Sequence, residues 1–569
     1  IRPPSPDIKT YLRFNWNAAI AQDPFDRSTI YYGSQFLHRS NNKGVSWEIT
    51  SPDLTTNDSA RIDQSNNGGL SVDITGAENF CTILAIAPSW KEKNVIWVGT
   101  DDGNVQLTRD GGKTWTNFRG KIPGMPAGAW IPQIQASRYN AGEAFVVCND
   151  YRRGDFKPYV FRTTDYGKTW TRILDEKKVK GYALCVLQDP AEPNLIFAGT
   201  EQGLWVSFDN GSSFQQWKNG YPSVSTYDLA IQEREADLVI ATFGRAIWIL
   251  DNIRPLRELA RSKGILKKSF DLYETTEAYQ AEIRNAPGYE WSTWGLWNAE
   301  NRPSGAAISW YIPAPAKKDS AKKADSVTVN IFNDKNERVR TLKWKTDTGF
   351  NRRYWGMEGM GFREPGTPKP KPGSMEPRGE MVLPGIYKVV MKYKNESDST
   401  LVTIKDDPRI GNRNDIKTAQ AELKEKLRKS AEPLIGAMDH LADAESATNK
   451  IEQQTKDSKK TEIAELRKKN KAMQDSIKAL NEFLRGKPQT RQGYGQVPQI
   501  TVLGEYREAR QSISAKPVKP GKQEEVLVAR AQKLMDEAVV KINAFLNGPW
   551  KNFKDLAEGT KISFFDTSE

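Results

Sequence analysis

One phrase returns four times within the first 214 residues, and it limits what the chain can fold into more than any other feature. It reads hydroxyl residue, Asn or Asp two positions on, glycine two further, then a second hydroxyl residue and an aromatic ring. The copies are Ser40-x-Asn42-x-Gly44-x-Ser46-Trp47, Thr108-x-Asp110-x-Gly112-x-Thr114-Trp115, Thr163-x-Asp165-x-Gly167-x-Thr169-Trp170 and Ser207-x-Asp209-x-Gly211-x-Ser213-Phe214. An Asx side chain can accept N–H groups of its own turn, glycine supplies a backbone angle closed to other residues, and the ring can cover the loop. These offsets predict a tight hairpin turn whose chemistry is local, so the repeated acids are structural and not catalytic.

Each turn belongs to a longer unit. Five alternating runs open the repeats, at 14–24, 80–89, 130–139, 182–190 and 227–234, and each is followed by a β-branched or aromatic run such as Ile96-Trp97-Val98-Gly99-Thr100. Period-two alternation in β-formers predicts strands. A unit recurring at this length is one supersecondary module that buries its faces only against neighbouring copies. Five such sheets over residues 1–255 predict part of a β-propeller.

The patterning changes beyond Asn252. Residues 256–312 read as a connecting segment, basic at its start, with Trp291, Trp294 and Trp297 packing a seam. Short strands at 326–339, 383–393 and 399–404 predict a β-sandwich over 313–408, and the Pro- and Lys-rich stretch 365–377 a surface loop. From Asp415 apolar residues fall at helical spacing (Leu423, Leu427, Leu434, Met438, Leu441; then Leu466, Met473, Ile477; then Val528, Leu534, Ile542), which predicts a three-helix bundle over 409–569 with a long turn at 485–504.

Composition removes several classes of function. The net charge of +12 arises from 83 basic residues interleaved with 71 acidic ones, without a dense basic run, so nucleic acid is not an expected partner. Two histidines, His38 and His440, leave little for a metal cluster or a Ser-His-Asp triad, and no metal or cofactor is expected. Cys81, Cys148 and Cys185 lie in strand-like apolar runs without CxxC spacing and read as buried free thiols. No apolar stretch is long enough to span a bilayer.

The four phrases are Asp-boxes, and with the strands around them residues 1–255 resemble the bacterial sortilin-like propellers. The wording Asp155 to Trp170 (DFKPYVFRTTDYGKTW) and Phe243 to Asn252 (FGRAIWILDN) carries the likeness. Relatives of that family include sortilin, sialidases and xyloglucanase-type glycoside hydrolases. The resemblance implies a mostly β chain, with propeller blades followed by a fibronectin-like sandwich and a helical tail, working as a secreted, cell-surface or periplasmic protein. It also implies a larger ring. Five blades are fewer than the family closes, so further blades, from the same precursor or a separate chain, are the expected partner, with 1–6 as a linker or junction. Open ends would expose faces lined by residues such as Ile20, Ile86, Ile231 and Ile249.

Two functions follow from the resemblance. The first is a binding or scaffold propeller for peptide, protein or glycan; the alternative is a glycoside hydrolase acting on polysaccharide. Hydrolysis needs two carboxylates across a cleft. Asp101, Asp102, Asp150, Asp155, Glu201 and Asp228 are the acids outside the repeated turns, and none is assigned a catalytic role. For ligand binding the third repeat stands out, because an insert there combines Tyr151, Arg152, Arg153 and Asp155, with Trp130 on the preceding loop.

Overall fold

The computed structural model describes residues 2–63, 79–262, 270–282, 302–313, 325–371, 373–456, 458, 460–488 and 499–560. The chain divides into two compact units, Ile1–Glu274 and Thr275–Glu569.

The first unit is a row of five antiparallel sheets, each a simple up-and-down meander. The first comprises Ile20–Gln22, Ile30–Gly33, Leu37–Ser40 and Glu48–Ile49, and the second Ile83–Pro88, Ile96–Thr100, Val105–Thr108 and Thr116–Asn117. The third comprises Trp130–Ala136, Ala144–Asp150, Asp155–Thr163 and Thr171–Leu174, and the fourth Ala183–Gln188, Ile196–Thr200, Gly203–Ser207 and Gln215–Gln216. The fifth has three strands, Thr226–Gln232, Asp237–Thr242 and Ile247–Leu250.

Neighbouring sheets bury their faces on one another in chain order. Tyr31 and Leu37 meet Ile83 and Val98; Trp97, Val105 and Leu107 meet Ile134, Val146 and Phe161. Phe145 and Val160 meet Val186 and Ile196, and Phe197, Leu204 and Val206 meet Leu229, Leu238 and Ile240. Both faces of the interior strands are therefore apolar, which is why runs such as Ile96–Thr100 and Ile196–Thr200 are buried at every residue. This is the mostly-β, propeller-like architecture expected from the repeat. Ile86 and Ile231, expected on open faces, pack instead within interior junctions.

The repeated turns obey one geometry. Asp110 accepts the Thr108 hydroxyl at 2.8 Å, the Thr114 N–H at 2.9 Å and the Thr114 hydroxyl at 2.6 Å, while the Gly112 N–H donates to Thr108 Oγ1 at 2.9 Å. Asp165 and Asp209 repeat this set with Thr163, Thr169 and Gly167, and with Ser207, Ser213 and Gly211. Asn42 does the same for Ser40 and Ser46, with Gly44 closing on Ser40. Two successive residues hold positive φ in every copy: Lys43 and Gly44, Gly111 and Gly112, Tyr166 and Gly167, Asn210 and Gly211. Trp115 closes its turn by donating from Nε1 to the Gly112 carbonyl at 3.0 Å. Trp47 stands edge-on to Tyr32, Trp170 edge-on to Trp97, and Phe214 packs on the core between the third and fourth sheets.

The opening run is shorter than expected. Only Ile20–Gln22 forms a strand, because the Asn15 side chain accepts the Asn17 N–H at 3.1 Å and turns the chain. Phe14 instead lies 5.5 Å from the Tyr32 ring and 6.3 Å from His38, with the Arg2 guanidinium 4.4 Å from its ring centroid. Cys81, Cys148 and Cys185 are buried free thiols.

In the second unit a five-stranded sheet runs in the order Ala278–Gln280, Glu396–Asp406, Gly385–Tyr393, Asp325–Phe332 and Arg338–Thr346. Ala306–Ile312 pairs with Gly349–Trp355, and Glu358–Met360 with Arg378–Met381. Strands Ala278–Gln280 and Ala306–Ile312 thus come from the stretch read as a connection. The alternation that buries Ala306, Ile308, Trp310 and Ile312 draws the latter into the β part.

The tail has more than the three expected helices. They are Asn414–Thr455, Thr461–Arg485, Val502–Ser514 and Lys522–Phe545, followed by a π turn at Leu546–Trp550 and a last helix, Lys551–Gly559. Leu434, Leu441, Ile477, Leu484, Tyr506, Met535 and Ile542 share their core. The helix Val502–Ser514 starts inside the expected long turn because Thr501 caps it, accepting the Gly504 N–H at 3.0 Å. Trp291, Trp294 and Trp297 lie outside the described residues.

Candidate functional site

The opening strands of all five sheets stand side by side and line a concavity of about 400 Å³. Asn17 and Ile20 come from the first repeat, Leu84 and Ile86 from the second, Trp130, Gln133 and Tyr151 from the third, Leu184 from the fourth, and Tyr227 and Asp228 from the fifth. Its walls are mixed, with Asn17, Gln133, Asn149, Arg152 and Asp228 set among aliphatic and aromatic side chains.

The third repeat builds the most elaborate wall. After Val147 the register between the first two strands shifts, bringing Asn149 opposite Trp130. A short 3₁₀ turn, Tyr151–Arg153, follows and is ended by Gly154 at φ 81°. The Arg152 guanidinium consequently lies 3.4 Å from the Trp130 ring centroid and 4.5 Å from that of Tyr151. Tyr151 in turn stacks on Tyr182 of the fourth repeat at 4.5 Å, tilted by 22°. Burial lowers the Arg152 pKa and raises those of Tyr151 and Tyr182. The result is a cation fixed by ring faces beside a stacked tyrosine pair.

The five ligand-binding candidates do not converge on one place. Trp130, Tyr151 and Arg152 line the concavity. Arg153 donates to Asp150 at 2.6 Å and to the Ala127 carbonyl at 2.7 Å, and Asp155 accepts the Tyr159 hydroxyl at 2.8 Å. Those two lie in a separate depression with Phe156, Lys157 and Lys180. Tyr227, which lines the concavity, and Tyr182, which stacks on Tyr151, carry no sequence signal beyond their place at the start of a strand.

Of the six candidate acids, Asp228 is the one that lines the concavity among the described residues. The residue as a whole is exposed, but partial desolvation of its carboxyl raises its pKa, opposed by the Leu229 N–H donating at 2.8 Å. Asp101 is fully buried and accepts the Thr82 N–H at 2.8 Å and its hydroxyl at 2.6 Å; burial and the adjoining Asp102 push its pKa up to about 8. Asp102 accepts the Thr56 N–H and hydroxyl, both at 2.7 Å, and ties the end of the first repeat to the second. Asp101 and Asp102 are therefore internal staples. Chemically the concavity can stack planar or ring-shaped groups, offer a guanidinium, and present one acid that holds its proton to higher pH than an exposed aspartate.

No protein-family model matches the chain. Over 142 residues it is 31% identical to an oligoxyloglucan-reducing end-specific xyloglucanase of Emericella nidulans, a match covering 24% of this chain and 17% of that protein. The chain thus spans well under two thirds of the curated relative it matches. Among solved structures, a GH74 xyloglucanase from Xanthomonas campestris superposes over 41% of this chain and 36% of its own, at 18% identity and a TM-score of 0.31. YCF48 bound to D1 peptide aligns over 41% and 68%, at 16% identity and a TM-score of 0.27. The fold itself is a chain of propeller-like sheets followed by a β and a helical part. Over the 142 matched residues its sequence is similar to that of a xyloglucanase.

Proposed function

We propose that the concave face binds a polysaccharide, and that the chain supplies one wall of a glycoside-hydrolase-like site with Asp228 as its acid. The observation that supports this most directly is the convergence of Trp130, Tyr151 and Tyr227 from different repeats on a concavity lined by a single carboxylate, Asp228, with Tyr182 stacked on Tyr151. Sugar rings present flat C–H faces that pack on aromatic rings, while their hydroxyls take hydrogen bonds from side chains such as Asn17, Gln133 and Asn149. The stretch shared with a xyloglucanase makes xyloglucan the first polysaccharide to test. Such a ligand would place the working protein outside the cytoplasm. Cleavage requires a second carboxylate across the sugar, and Asp228 alone supplies one among the described residues that line the concavity.

Affinity electrophoresis in gels containing xyloglucan, galactomannan or pectin tests the reading, with reducing-end release measured in parallel. Retardation by at least one polysaccharide, lost in Trp130→Ala and in Tyr182→Ala, is the expected result. Absence of retardation by all three, or retardation indifferent to both substitutions, would overturn it. Binding of peptides in place of glycans would favour the scaffold alternative.

A further inference from the structure

Arginines stacked on aromatic rings recur through the second and third repeats, and each but one also meets an acid of the chain. Arg109 over Tyr166 pairs with Glu92 at 3.8 Å, and Arg138 over Trp90 with Glu233 at 2.8 Å. Arg162 over Phe145 pairs with Glu143 at 2.5 Å, and Arg172 over Tyr159 with Glu176 at 2.9 Å. Arg152 is the exception. Its guanidinium rests on Trp130 and Tyr151, yet among the described residues it forms no ion pair and donates no hydrogen bond. Asp228 lines the same concavity without pairing with it.

The unused donors are held in place. Arg153, the next residue, ties down the turn by donating to Asp150 and to the Ala127 carbonyl, and Gly154 ends it in the left-handed region. Tyr151 is backed by Tyr182. A guanidinium stacked by its faces keeps its N–H groups in its own plane, clear of the rings, and that planar fork matches the two oxygens of a carboxylate. Arg152 is exposed as a residue, so the fork is open to a ligand. The rings give it no acceptor in return for the water they displace, and partial desolvation lowers its pKa accordingly.

We infer that the acid missing at Arg152 is supplied by the ligand, and that the polysaccharide bound in the concavity carries uronic-acid residues. This rests on the polysaccharide reading above and narrows it. A hexuronate ring satisfies two features of the wall at once: its C–H face packs on an aromatic ring such as Tyr227, and the carboxylate at its edge takes the Arg152 fork. A neutral sugar offers the fork hydroxyl oxygens alone, and hydrogen bonds between a cation and a neutral acceptor are weaker than those to a carboxylate.

Affinity electrophoresis tests this with polygalacturonate, alginate and glucuronoxylan, each beside its carboxyl-reduced neutral form. An ionic strength of about 0.15 M screens exposed charges beyond about 8 Å and so suppresses general attraction to a basic protein. The expected result is that at least one acidic polymer binds about tenfold or more tightly than its reduced form, and that Arg152→Gln removes the difference. Arg152→Lys, which keeps the charge and loses the planar fork, should restore it only in part. Lys157→Gln with Lys180→Gln removes exposed cations of the separate depression and should leave it intact. In the parent protein the acidic polymer should also shield Arg152 from phenylglyoxal, read by peptide mass spectrometry, and its reduced form should not. Equal binding of acidic and reduced forms, a preference that survives Arg152→Gln, one lost as fully in the lysine pair, or absence of shielding overturns the inference while leaving the polysaccharide reading in place. Binding of no polymer, acidic or neutral, would remove that reading as well.

Discussion

Replacing the glycine of each repeated turn by alanine should cost different amounts, because the turns share a backbone but not a floor. Gly112, Gly167 and Gly211 hold φ of 105°, 83° and 84°. Placing a side chain in that region costs about 1–2 kcal/mol at any of the three. The second contribution depends on what the new methyl meets. At Gly211 the nearest atom is Ile173 Cδ1 at 3.5 Å, an ordinary contact, so the loss stays at about 1–2 kcal/mol. At Gly167 the methyl would lie 2.4 Å from the Phe118 ring, which must move within a packed junction and adds about 1–3 kcal/mol. At Gly112 it would run into the Thr50 carbonyl oxygen, a backbone atom of a residue whose own N–H is bonded to Leu37, so this loss is the largest. Urea unfolding followed by tryptophan fluorescence should therefore rank the variants Gly112→Ala, Gly167→Ala, Gly211→Ala from least to most stable. Equal losses at all three would refute the claim that each turn is seated on the preceding repeat to a different depth.

Three further outcomes are expected. Asp165→Ala removes the acceptor of three hydrogen bonds at a solvent-exposed turn and should lower stability by about 1–2 kcal/mol in the same assay while leaving polysaccharide retardation intact. The Asp228 pKa is raised above its ordinary value of 3.8, so the folded state prefers the protonated acid; that stabilisation is complete below 3.8 and is lost as pH rises through the folded value. Asp228→Asn should consequently match the parent in melting temperature near pH 4 and exceed it near pH 8. Arg257, on the helix Arg254–Arg261, donates to the buried Asp189 at 3.0 Å, and Arg257→Met strands that carboxylate at a cost of about 3–5 kcal/mol, most of which Asp189→Asn in the same protein should restore on thermal melting.

The parts of this molecule that sequence made legible are those whose chemistry is local. A turn in which Asp110 bonds Thr108 and Thr114 is complete within seven residues, so its spacing announces it. Alternation likewise announced the strands, and helical spacing most of the tail. Val502–Ser514 escaped because Gly504 and the Pro- and Gly-containing stretch before it read as a turn, whereas the Thr501 cap and the burial of Tyr506 and Ile513 decide for helix. The aromatic group of the concavity was half visible. Tyr151, Arg152 and Trp130 are drawn together by one hairpin, but Tyr182 and Tyr227 arrive from other sheets, and only the stacking of whole sheets brings them near.

Asp228 shows why the fifth repeat resisted reading by phrase. Leu229-Ala230-Ile231 has the wording of Leu84-Ala85-Ile86, which aligns Ala230 with Ala85. Hydrogen bonding aligns it otherwise: Ala85 faces Gly99 and Asp228 faces Ala241, so the two repeats are offset by two residues. A shift of two keeps every side chain on its face, and the strand pattern therefore gave no warning. With the register set by pairing, Asp228 occupies the position of Ala85 and Cys185, where the repeat elsewhere keeps a small apolar residue for the next sheet to cover. A carboxylate at such a position is a departure from the repeat; the residue is exposed there, while partial desolvation of its carboxyl raises its pKa against the opposing Leu229 N–H. The repeated turns lie between the third and fourth strands and hold the scaffold together. The residues of the proposed site lie on the opening strands and on the Tyr151–Arg153 turn, at positions where the repeats differ from one another.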